Sequence, residues 1–185
     1  IENFTQELST DEKSAFRHSL NISDDNIILI LSNSKNNTEF NKYEFSPLNG
    51  RMLFDYLVDS CKKSKKFDHL FIVSSLENMD FLKKRYQMNV LSGSESDAEK
   101  YLSDSFKNGK IVIVSSYYPL ITSSQIDEYF DFMDNYSLVK TLSEKDGVCY
   151  PFGKSFGEFN ENKEYICENY LYSRKITQEN KNDFY

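Results

Sequence analysis

Three short, nearly unbroken aliphatic runs constrain this chain more than any other feature: IILIL within Ile27–Leu31, HLFIVSS at His69–Ser75, and KIVIVSS at Lys110–Ser116. Each is short for a helix and lacks the apolar–polar alternation of a strand with one wet face. Each therefore reads as a strand buried on both sides. Between them the periodicity changes. Leu53, Leu57 and Cys61 recur every fourth residue with Phe54 and Val58 beside them, which predicts an amphipathic helix ending in lysines. Ala98, Tyr101, Leu102 and Phe106 mark a helix over 97–107, ended by Gly109. Ile126, Tyr129, Phe130 and Met133 follow the i, i+3, i+4, i+7 rule in another. A shorter helix over 78–86, a brief strand in MNVLSG and a turn at SPLNG (Ser46–Gly50) complete this part.

Strands alternating with helices at this spacing need crossovers. The predicted fold class is α/β: three layers, α/β/α, around a mostly parallel, mixed central sheet. Beyond Tyr136, SLVKTLS, GVCYPF and YICENYLYS read as shorter strands of mixed direction. Residues 1–22 form a helical extension, opened by the capping pair Ser9 and Glu12, and 23–185 form a single domain.

Charge and cysteine usage exclude several functions. A formal charge of −7 argues against a nucleic-acid partner, which needs a basic face to displace counterions. The basic run Lys62, Lys63, Lys65 and Lys66 is most simply a solvated helix end. Cys61, Cys149 and Cys167 are odd in number and lack metal-ligand spacing, so they read as small core residues in a reducing compartment. No apolar run approaches the roughly 18 residues of a membrane span, and no signal peptide is visible. The expectation is a cytoplasmic protein with no membrane partner.

The order of these pieces resembles the nucleotidyltransferase family of the nucleotide-diphospho-sugar transferase fold. The residues that carry the resemblance are IILILSNSKNNTEFNKYEF, LNGRMLFDYLVDS and KIVIVSSYYPLITSSQIDEYFDFM, against the family's apolar strand into LAAGxGTRM, its GxPML turn and its DxPLIT strand end. The C-terminal YICENYLYSRKITQENKNDFY is similar to a segment of the sugar-1-phosphate uridylyltransferases, including N-acetylglucosamine-1-phosphate uridylyltransferase, in which a short strand precedes a helix. The resemblance implies a nucleoside triphosphate or sugar phosphate as ligand, and a domain that continues beyond Tyr185. It makes Ser32, Asn33, Ser34, Lys35, Asn36, Lys42, Asp97 and Tyr117 the candidate nucleotide-binding residues. Lys42, standing for the lysine of PK, is the candidate catalytic residue.

The departures are chemical. The family's loop glycines fall on Ser34 and Asn36, its triphosphate-gripping arginine on Thr38, and the aspartate that holds the catalytic magnesium on Tyr117. Nucleotidyl transfer joins two anionic groups, so its catalysis is charge neutralisation and positioning. Tyr117 removes a hard oxygen anion and Thr38 a bidentate grip, while Ser34 and Asn36 add a Cβ where backbone should approach phosphate. The expectation is a domain with the fold kept and the reaction lost or weakened. No protein metal ligand is assigned, and Mg²⁺ enters as cofactor only if activity is retained.

Other readings stay open at this stage. The chain could be a working transferase with Lys35 and Lys42 on phosphate and Asp97 or Asp146 on the metal. It could also be an interaction module that self-associates or binds a partner domain through a strand edge and the tyrosine-rich C-terminal segment, with an exposed apolar patch on the YICENYLYS face. The remaining motifs read plainly. Tyr117 and Tyr118 pack under a helix or stack on a base, and Ser115 and Ser116 have no histidine to activate them. His18 and His69 are isolated, FGKSFGEF is a glycine-bearing surface loop, and Asp127, Glu128, Asp131 and Asp134 form a solvated helix face.

Overall fold

The computed structural model describes residues 25–32, 44–106, 108–144 and 165–176. In chain order its elements are β1 (Asp25–Leu31), a small hairpin of β2 (Pro47–Leu48) and β3 (Arg51–Met52), and α1 (Leu53–Lys63). There follow β4 (His69–Ser74), α2 (Leu76–Tyr86), β5 (Asn89–Ser92), α3 (Glu95–Ser105), β6 (Gly109–Ser115), α4 (Ser123–Asn135), β7 (Leu138–Glu144) and β8 (Tyr165–Ile176). The helical extension, GVCYPF, FGKSFGEF and His18 lie outside the described residues.

The larger sheet has the order β5-β4-β1-β6-β8-β7. β1, β4, β5 and β6 are mutually parallel, and β8 runs antiparallel to both its neighbours. The three aliphatic runs are thus its centre, which is why they carry no polar face. Alternate residues separate the layers. Ile28, Ile30, Ile72, Val112 and Val114 face α1, α2 and α4, while Ile27, Leu29, Phe71, Ile111 and Ile113 face Ala98 and Leu102 of α3. The mostly parallel α/β/α architecture expected from the sequence is present.

Several details differ from the sequence reading, each for a local reason. α3 starts two residues earlier than 97, because Ser94 is its N-cap. Its hydroxyl accepts from the Asp97 N–H at 3.2 Å, and Asp97 Oδ2 accepts from the Ser94 N–H at 2.7 Å. Gly109 does not end that helix. It opens β6, where a Cβ would lie 3.0 Å from the Asp25 carbonyl oxygen, so glycine permits close strand approach. SPLNG is the turn of the β2–β3 hairpin, with φ of 52° at Asn49 and 78° at Gly50, the pair of positive values a type I′ turn needs. Within YICENYLYS only Leu171–Ser173 are paired with β6, while Tyr165–Glu168 are paired with β7 alone. The stretch belongs to β8, whose Leu171–Ile176 end is the part that β6 borders.

The acidic face of α4 is only partly solvated, because it meets the end of α1. Asp127 accepts from Ser64 Oγ at 2.5 Å and from the Lys65 N–H at 3.0 Å, Asp131 pairs with Lys66, and Asp134 pairs with Lys110. Cys61 is fully buried in α1, and burial pushes its thiol pKa up, as suits a core residue.

On the other face, Glu99 of α3 is buried against Arg174 of β8. Burial outweighs the ion pair and raises the Glu99 pKa from 4.5 to about 7. The folded state therefore binds a proton that the unfolded state has released, and stability should fall as pH rises from 4.5 toward 7. Glu99→Gln should flatten that slope, as read from urea midpoints across the window. An unchanged slope would mean that Glu99 titrates normally.

Candidate functional site

The chain passes from β1 to β4 and β5 on one side, then returns through α3 to place β6 on the other side of β1. The point between β1 and β6 is where neighbouring connections diverge. In open α/β sheets, that divergence leaves a crevice at the carboxyl ends of the strands, which is the usual place for a ligand. The residues on its rim are set by where the strands stop.

β1 stops at Ser32, whose N–H donates to the Val73 carbonyl at 2.9 Å, while the Ser116 N–H donates to the Leu31 carbonyl at 2.9 Å. The backbone at the end of β1 is therefore held from both neighbours. The Ser32 hydroxyl donates to Glu44 Oε1 at 2.7 Å, and Ser74 Oγ lies 3.5 Å from Ser32 Oγ. Glu44 is buried. Across the crevice, Ser115 and Ser116 are buried, and Ser115 Oγ accepts from the Tyr117 N–H at 3.3 Å. Tyr118 turns into the core and Tyr117 outward, with 43% of its surface exposed. The rim thus offers hydroxyls, one engaged carboxylate and an exposed phenol. Among the described residues, such a surface can hydrogen-bond and stack, but it supplies little positive charge.

Of the residues singled out from sequence, the structure places Ser32 one residue and Tyr117 two residues past the ends of the adjacent strands β1 and β6, whose last residues, Leu31 and Ser115, are paired. Asp97 stands apart. It follows β5, two strands away from β1, and its carboxylate serves the cap of α3. Asn33, Ser34, Lys35, Asn36, Thr38, Lys42 and Asp146 lie outside the described residues. Glu44 and Ser74, which the sequence reading did not single out, also lie beside Ser32. Glu44 sits in an Asn/Lys-rich stretch without periodicity, so nothing marked it. Ser74 had a signal: β1, β4, β5 and β6 each end in or run into serine, at Ser32, Ser74, Ser92 and Ser115.

No family model matches the sequence, and no curated protein does. Solved structures do. CMP:2-keto-3-deoxy-manno-octonic acid synthetase in complex with CTP matches at a TM-score of 0.60 over 86% of this chain and 78% of that one, with 7% identity. The chain has the nucleotide-diphospho-sugar transferase fold. The bifunctional IspDF of Campylobacter jejuni matches at 0.60 over 82% of this chain and 41% of that one, with 14% identity. 4-Diphosphocytidyl-2C-methyl-D-erythritol synthase of Anaerococcus prevotii matches at 0.57 over 84% and 72%, with 9% identity. At these identities the likeness is one of fold. The uridylyltransferase branch suggested by the C-terminal motif is not represented among these three structures.

Proposed function

We propose that this chain is a nucleotidyltransferase-like domain that binds a nucleoside triphosphate at the β1–β6 crevice and has lost most or all of its transfer activity. The observation that carries the reading is the exposed Tyr117 at the end of β6, where the resemblance expects a metal-binding aspartate. Mg²⁺ prefers hard anionic oxygens. Among the described residues, the crevice presents serine hydroxyls and a phenol, and Glu44 Oε1 is already held by Ser32. These groups do not fit the metal that nucleotidyl transfer requires, so no catalytic step is assigned to it.

In this reading, Ser32 and Ser116 frame the crevice, and the Tyr117 ring offers a stacking face for a base. The synthetase solved with CTP supports cytidine triphosphate as the first ligand to try. Titration calorimetry of the chain with CTP, UTP, GTP and ATP tests the proposal. Saturable binding is expected, with Mg²⁺ changing the affinity by less than about threefold, or about 0.6 kcal/mol. Tyr117→Ala should weaken it by about tenfold if the ring stacks on the base. Binding that requires Mg²⁺ together with pyrophosphate release would overturn the loss of activity. Silence for all four nucleotides would overturn the binding site.

A further inference from the structure

β5 forms one edge of the sheet, with β4 on one side and no described strand on the other. An edge strand offers a row of unpaired N–H and C=O groups, and proteins that keep such an edge monomeric blunt it with a very short strand, a charge, a proline or a bulge. Of these, β5 has shortness, at 4 residues. The β5 sequence Asn89–Ser92 contains no charge and no proline. A groove of about 330 Å³ runs beside it, lined by Met79 and Lys83 of α2, Val90 and Leu91 of β5, and Asp97 and Tyr101 of α3.

The helix beside this groove is poorly covered. Of the 11 residues of α2, Leu82 and Tyr86 are buried, and Leu76 is 72% exposed. One flank of α2 is occupied, because Phe81 packs edge-on against Phe45 and Arg85 reaches Asp55. Helical spacing places Leu76, Met79, Asp80 and Lys83 on the opposite flank, over β5. The charge along α2 is also graded, with Glu77 and Asp80 in its first half and Lys83, Lys84 and Arg85 in its second. A helix with this gradient complements its own reverse.

We propose that the chain forms a two-fold dimer through β5, with a second copy as the occupant of this groove. A two-fold axis perpendicular to the sheet makes the two β5 strands antiparallel and continues the sheet across the interface. Directly opposed residues then share a face, so Val90 meets Val90 or Leu91 meets Leu91. The same axis lays α2 antiparallel to α2, so that Asp80 of each copy faces Lys83 of the other. The interface is isologous and closed, which leaves no free β5 edge.

Sedimentation velocity of the chain over a range of concentrations tests this. The expected result is a concentration-dependent monomer–dimer equilibrium. Lys83→Asp and Asp80→Lys should each weaken it by about tenfold, because each converts two attractive cross-copy pairs into repulsive ones. An equimolar mixture of the two variants should associate about as well as the unsubstituted chain, since all pairs are then complementary. Both positions are exposed, and unchanged circular dichroism would show that the variants fold. A monomer at every concentration would overturn the proposal. So would self-association that neither substitution changes, or a mixture that fails to recover.

Discussion

Phe54→Ala is expected to cost about 4 kcal/mol and to lower the melting temperature by roughly 10 °C. Phe54 is 1% exposed near the start of α1, and its ring lies 5.8 Å from Phe45 and 5.6 Å from Tyr86. It therefore joins three parts of the fold: the segment at Phe45, α1, and the end of α2. Deleting the ring removes its transfer energy and leaves a cavity that these elements cannot all close on together, since each is anchored elsewhere. Urea unfolding monitored by circular dichroism would measure it. A loss below about 1 kcal/mol would mean that the site collapses freely, which close packing does not allow.

Asp55, the next residue, should be the second most sensitive position outside the aliphatic core. Its carboxylate is buried and accepts from Arg85 Nε at 2.9 Å and Arg85 Nη2 at 2.7 Å. It also accepts from Tyr86 Oη at 2.7 Å and from the Met52 N–H at 3.0 Å. Asp55→Ala leaves those donors without their acceptor and should cost about 3 kcal/mol. The Arg85 guanidinium, helped by Tyr86 and the Met52 amide and opposed by burial, holds the Asp55 pKa at about 2 against an ordinary 3.8. A depressed carboxyl pKa stabilises the fold above the unfolded value, and this contribution is lost as pH falls from 3.8 toward 2. The stability gap between the native chain and Asp55→Asn should therefore narrow across that interval. A gap independent of pH would show that the charge is not what holds the network. Because the Tyr86 ring packs on Phe54 while its hydroxyl bonds Asp55, the double variant should cost less than the sum of the two.

The central strands and the buried faces of α1 and α4 were legible in the sequence because burial there repeats at fixed intervals. Ile126, Tyr129, Phe130 and Met133 could be assigned to one face from spacing alone, and all four are buried. What the sequence hid was pairing at long range. Nothing in YICENYLYS shows that β6 borders only its Leu171–Ser173 end, because a two-sided position and a one-sided position use the same residue types. Nor does an acidic helix face announce that Ser64, Lys65 and Lys66, more than sixty residues earlier, will meet it.

For the proposed site, the resemblance named Ser32 and Tyr117, and the structure places them just past the ends of the neighbouring strands β1 and β6. Glu44 could not be found, because a lone buried carboxylate in a polar stretch has no pattern to betray it. Asp97 could have been placed better, since Ser94 three residues before it is the mark of a helix cap.

β1 has a further consequence for how the molecule is made. It is synthesised first among the described strands, is apolar on both faces, and bonds along both edges to partners that come much later. Ile27 waits for His69 on one side and for Ile111 on the other. At ordinary ribosomal rates the second partner emerges on the order of ten seconds after β1. Until then the most aggregation-prone segment of the nascent chain has one unsatisfied edge, so its yield in cells should depend on whatever shelters that strand during translation.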